Sequence, residues 1–188
     1  MKKVINTLFM FIVIVFATNT VCSQNTTTKP KAKIYSKALT TDPINLINSN
    51  RINIKYEQNV GRKNSFTVDL MYNYDYNTNE YTNIGIVLGG GYRWYFHNLF
   101  PEIRTRGIEG LAVGPFANIN YIRWTVSEGN YKNDFVFDIG AEAVYKFVLF
   151  EGLAIEPTLR LGIKGLSSAK YYSQGFILWP GISIGYAW

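Results

Sequence analysis

One cysteine and one histidine in 188 residues leave little material for disulfides, thiolate metal sites or imidazole chemistry. Charge is scarce as well, at 17% of residues against roughly 25% in an ordinary soluble domain. No uninterrupted apolar run reaches the roughly 20 residues of a membrane helix, which excludes a polytopic helical membrane protein. What the chain has instead is 47% hydrophobic and 16% aromatic residues, too many for a disordered polymer.

The N-terminus has the layout of a secretory signal. Lys2 and Lys3 open it, residues 8–17 form a short apolar core, and small or polar residues follow. A cut after Ser23 makes Gln24 the first mature residue and removes Cys22, the only thiol. Val21 stands where a lipoprotein signal carries Gly, Ala or Ser, so a plain signal is expected rather than lipidation. The expected division is a signal peptide at 1–23, a polar tail at 24–32 and one domain at 33–188. The formal charge of +6 is scattered over signal, tail and turns, a pattern of solvated charge that gives no footprint for nucleic acid.

From Arg51 onward apolar residues recur at every second position, the period of a strand and not of a helix. One face reads Ile52, Ile54, Tyr56, then Phe66, Val68, Leu70, Tyr72, Tyr74, then Ile84, Ile86, Leu88, Tyr92, Trp94, Phe96. The same alternation continues through residues 111–121, 135–147, 153–163 and 176–188, giving seven strands. Polar connections at 75–83, 125–133 and 165–173 and tight turns at 61–63 and 150–152 separate them. The opposite face is polar, charged or very small, with Gly85, Gly89, Gly91, Gly140, Gly162, Gly185 and Ala187. A β-sandwich would wet that face and has no use for so many glycines, whereas a narrow barrel interior does. Two levels of aromatics, Tyr92, Trp94, Phe96, Tyr145, Phe147, Tyr186 and Trp188 at one end and Tyr72, Tyr74, Tyr121, Phe135 and Phe176 at the other, match interfacial girdles. The fold expected is therefore all-β: an eight-stranded antiparallel up-and-down transmembrane β-barrel. Closure needs an even strand number, so an eighth strand is expected within residues 33–47, interrupted at Asp42-Pro43. Pro115, Pro157 and Pro180 fall inside strands, where bulges are the expected remedy.

The tight turns allow register to be counted. With Leu149 facing Leu153, Lys146 faces Glu156, Glu142 faces Arg160 and Asp138 faces Lys164, all on the polar face. With Val60 facing Asn64, Lys55 faces Asp69. Adding Arg93 and Glu57, the interior is expected to hold five cations and five anions as a neutral structural plug, with no catalytic, cofactor or metal role. An eight-stranded barrel is just wide enough to be filled by such side chains.

The run of Ile182, Ile184, Tyr186 and Trp188 resembles the terminal signature of Gram-negative outer-membrane barrels, which implies recognition of Trp188 by the barrel-assembly machinery. DPINLINSNRINIKYEQNVGRKNS from Asp42, GYRWYF from Gly91 and GLAVGPF from Gly110 resemble small outer-membrane barrels of the OmpA-like, eight-stranded kind. The resemblance implies a monomeric barrel in the bacterial outer membrane, contacting lipid and lipopolysaccharide. Because the chain ends at its last strand, no peptidoglycan-binding domain is expected. Arg123, Lys132 and Lys170 are candidate rim contacts for lipopolysaccharide phosphates. The alternatives are a narrow passive pore and an outer-membrane lipid hydrolase, for which His97 is the only imidazole, with no acidic neighbour in sequence to orient it.

Overall fold

Alternation of apolar and polar residues makes each segment two-faced, and a two-faced strand is stable only where a sheet separates two environments. The computed structural model describes residues 34–45, 51–76, 82–96, 107–127, 130–166 and 175–188. They form eight antiparallel strands: β1 (Lys37–Thr41), β2 (Arg51–Asn59), β3 (Asn64–Tyr76), β4 (Thr82–Tyr95), β5 (Gly110–Ser127), β6 (Asn130–Leu149), β7 (Leu153–Leu166) and β8 (Gly175–Ala187). Each strand pairs with the next, and β8 pairs with β1 to close a barrel. Ile34–Trp188 is one unit, and the expected signal and tail lie outside the described residues.

Two turns carry the register. Val60 N–H donates to the Asn64 carbonyl at 2.9 Å, and Gly152 N–H donates to the Leu149 carbonyl at 3.0 Å. The second is built from Phe150 (φ 45°) and Glu151 (φ 62°), both left-handed. Successive positive φ values give the twist that joins antiparallel strands directly, here without glycine at either central position. As counted from these turns, Lys55 faces Asp69 and Glu142 faces Arg160.

The eighth strand lies within the expected window but is only five residues long, ending just before Asp42, where residues 43–45 form one helical turn. The expected connection at 125–133 is instead mostly ladder: pairing runs out to Ser127 opposite Asn130, with a register shift between Thr125 and Ser127. Polar side chains do not end a strand as long as backbone partners continue, which is why polarity misplaced this boundary.

The expected bulges at the three prolines are absent. Alternate residues of a strand direct their backbone groups to opposite neighbours, so a proline deletes one bond on one side only. Phe96 N–H donates to Leu111 O, so odd residues of β5 face β4. The β4–β5 ladder accordingly skips Tyr92 and Arg93 opposite Pro115 and Gly114, then resumes in the same register. Ala187 N–H donates to Gly152 O, which turns odd residues of β7 toward β6, and the β6–β7 ladder lapses opposite Pro157 without a shift. Lys37 and Trp188 exchange both backbone bonds, so even residues of β8 face β1. With the β7–β8 register unbroken, Pro180 directs its missing donor to the side of β1, above the point where β1 ends opposite Ile184. Each proline sits where one lost bond is tolerated, so the strands keep their course.

The wall is apolar outside. Phe176, Leu178, Phe135 and Ile52 are more than half exposed, while Arg93 and Glu156 are fully buried inside. The inner face is less uniformly polar than its sequence phase suggested, since Met71, Val87, Phe116, Val136 and Val144 also point inward and are buried. Outer aromatics form two rows. Tyr72, Ile86, Tyr121 and Phe135 are consecutive partners across β3 to β6, and at the other end Tyr92 packs on Trp94, Tyr145 on Phe147 and Tyr186 on Trp188.

Candidate functional site

Arg93 occupies the centre of the lumen. It stands on the inward phase of β4 opposite Ser65 of β3 and is 0% exposed. Its Nε donates to Glu142 Oε1 at 2.6 Å and its Nη1 to Glu57 Oε2 at 2.6 Å, while Nη1 and Nη2 both reach Glu156 at 3.0 Å. One guanidinium thus binds three carboxylates from β2, β6 and β7, which its planar fork of donors permits and an ammonium would not.

Three more cations complete the arrangement. Lys146 bridges Glu57 and Glu156, the latter at 3.0 Å. Lys55 Nζ donates to Glu156 Oε1 at 2.6 Å. Arg160 ties Glu142 (2.9 Å) to Asp69 (2.7 Å) and lies 5.0 Å over the Phe116 ring. Ser65 Oγ and Tyr95 OH both donate to Glu57 Oε1, at 2.5 and 2.6 Å. Four cations and four carboxylates on five strands therefore form one continuous neutral network. Space for it comes from small residues on the inner face: a Cβ on Gly91 would lie 2.9 Å from Thr67 Oγ1 and 3.7 Å from Glu142 Oε1.

The network is the middle of three layers. Below it is an apolar floor of Tyr35, Ala38, Tyr95, Ile108, Ala112, Val144, Ala154 and Ala187. Tyr35 and Ile108 arrive from outside the strands, pinned by an Ile108 N–H bond to Tyr35 O at 3.1 Å. Gly107 (φ +70°) is required at that crossing, because a Cβ there would come within 2.0 Å of the Tyr35 carbonyl oxygen. Above the network the packing loosens. A cavity of about 30 Å³ is lined by residues that include Asp42, Asn53, Lys55, Met71, Arg160 and Trp179. Thr67 Oγ1 and Asp69 Oδ1 at the level of the network, and Asn73 Oδ1 above it, find no hydrogen-bond partner among the described residues.

Nearest-neighbour counting in sequence assigned some of these partners differently. Lys55 does face Asp69, but its ammonium crosses the lumen to Glu156, and Asp69 takes Arg160. Lys146 meets Glu156 as counted, and Glu57 besides. Asp138 does not pair with Lys164. A register shift between Phe137 and Ile139 displaces it, so that it accepts from Asn120 Nδ2 at 2.8 Å and Gly165 N–H at 3.1 Å, while Lys164 is exposed. The interior thus holds four cations among the described residues, not five. The sequence pattern does not single out Ser65 and Tyr95, although both share the inward phase of Arg93, which is the signal that marks them. Arg123 is exposed on the upper part of β5, and Lys132 pairs opposite Trp124. His97 and Lys170 lie outside the described residues.

Among the described residues no group of three or more His, Cys, Asp or Glu gathers as metal ligands would. No family model, curated protein or solved structure matches this chain.

Proposed function

We propose that this chain is a monomeric outer-membrane β-barrel of the OmpA-like kind, exported by its signal and serving a structural or surface-interaction role without catalysis. The observation that carries the reading is the inverted distribution of polarity: carboxylates and guanidinium groups inside, isoleucine, leucine and phenylalanine outside. Water would reverse that order, whereas hydrocarbon favours it. Six of the strands are 13 to 20 residues long, beyond the roughly 9–11 that a tilted strand needs to cross a bilayer. The two aromatic rows match the two membrane–water interfaces.

In this reading the lumen is a plug and the outer rim carries recognition. Trp188 is the contact for the barrel-assembly machinery, and Arg123, Lys132 and Lys170 meet lipopolysaccharide phosphates. The decisive experiment is fractionation followed by gel migration with and without boiling. An envelope-associated band that shifts on heating supports the reading, and a chain that stays in the soluble fraction without detergent and does not shift overturns it. Unaltered lipopolysaccharide co-purification after triple Ala replacement of the three rim cations would remove the surface contact, and altered lipid A in a His97→Ala strain would remove the non-catalytic part.

A further inference from the structure

The turn between β6 and β7 combines backbone strain with an open apolar side chain at its tip. Phe150 and Glu151 both hold left-handed backbone, at φ 45° and 62°. Asn-Gly builds such a turn without strain, whereas a bulky residue at positive φ crowds the following carbonyl. At 78% exposure Phe150 finds little packing inside the molecule, and it is the most exposed large apolar residue among those described.

The rest of the surface does not share this combination. Phe176, Leu178 and Ile52 are exposed on regular strands. The other tight turn puts Gly61, Arg62 and Lys63 at its tip, all exposed, which is the composition water favours.

Position supplies the reason. Gly152 O accepts from Ala187 N–H at 2.7 Å, so the turn ends level with the last residues of β8. Leu149 and Leu153 face each other at its base, and Leu153 faces Tyr186. A Cβ on Gly152 would lie 2.3 Å from the Tyr186 ring, so that ring, stacked on Trp188, rests directly against the turn. Phe150 thus continues the aromatic row of Tyr145, Phe147, Tyr186 and Trp188 and extends it toward the end of the barrel.

One phenylalanine offers roughly 200 Å² of apolar surface, far below the roughly 1,000 Å² that a specific protein partner needs. A bilayer interface needs no matching shape and accepts an aromatic ring at headgroup level. We infer that the β6–β7 turn is a membrane-interface anchor, with the Phe150 ring seated among lipid headgroups at the floor end of the barrel and the Glu151 carboxylate left in water. This rests on the membrane reading above.

The test uses the full mature barrel folded in phosphatidylcholine vesicles. Phe150→Ala keeps the left-handed backbone and deletes the ring, so it should raise the unfolded-to-folded ratio in urea on the order of tenfold. Phe150→Trp preserves bulk and backbone and should keep wild-type stability. The emission it adds to that of the four native tryptophans should be quenched by lipid brominated near the glycerol and spared by aqueous iodide. A Phe150→Ala ratio within about twofold of the wild type overturns the anchor, because a ring standing in water contributes no more than that. Iodide quenching of the added emission overturns it too, and is the pattern expected if a soluble protein is the partner. Either result in a heat-modifiable, vesicle-bound barrel removes the anchor alone, whereas a water-soluble chain without heat modification removes the membrane reading itself.

Discussion

Arg93 and Glu156 meet in a two-pronged contact, Nη1 to Oε2 and Nη2 to Oε1 both at 3.0 Å, with neither side chain accessible to solvent. Such parallel bonds fix orientation as well as distance. They join β4 to β7 across the lumen, a connection that no ladder between adjacent strands supplies.

Removal of Arg93 leaves three cations, Lys55, Lys146 and Arg160, for four carboxylates, Glu57, Glu142, Glu156 and Asp69. Arg93→Met should cost at least about 3–5 kcal/mol of stability, because uncompensated buried charge is what makes such losses large. Arg93→Lys should recover only part, since one ammonium cannot reproduce the fork. Urea unfolding in vesicles measures both, and a loss below about 1 kcal/mol for Arg93→Met would contradict the central role of this residue.

Lys55 discriminates ladder neighbours from lumen partners. A double-mutant cycle on Lys55 and Glu156 should give a coupling of about 1–3 kcal/mol, and one on Lys55 and Asp69 clearly less. The reverse order would mean that the pair adjacent in the ladder carries the bond.

The prolines offer a comparison in which the unfolded chain cancels. Pro157→Ala and Pro180→Ala lose similar proline rigidity, but only the first adds an N–H directed at a neighbouring strand. Pro157→Ala should therefore be more stable than Pro180→Ala by about 1 kcal/mol in the same urea assay. Equal values would show that the Pro180 edge has a partner of its own.

Glu109, just below β5, has its carboxyl pushed above the ordinary glutamate range by burial, partly offset by a backbone hydrogen bond at Val148. The unfolded chain ionises first, so between the unfolded and folded values the native state binds more protons and stability falls as pH rises. Glu109→Gln should be more stable than the wild type at pH 7, and the difference should shrink in acid below both values. Thermal unfolding in detergent at the two conditions checks this. A gap that widens on acidification would reverse the assignment.

Much of this architecture is legible in the sequence. The two-residue period from Ile52 onward, the turns around Arg62 and Glu151 and the inward phase of Lys146, Glu142 and Arg160 together define strands, register and facing. Polarity was a poorer guide to where strands end, because Tyr131 and Thr125 remain backbone partners beyond the apolar run. The phase of Tyr95 was readable, yet its bond to Glu57 was not, since a phase says which side a group points to and nothing about who stands opposite.

Residue order by itself determined that this chain makes strands, which side of each is oily and how neighbours align, because those properties are local and repeat along the backbone. Only the closed tertiary structure decided that Lys55 reaches Glu156, that Arg93 gathers three carboxylates and that Arg160 of β7 reaches Asp69 of β3. Those pairings depend on distances across the lumen, which are set by strand stagger and barrel closure and have no counterpart in sequence separation.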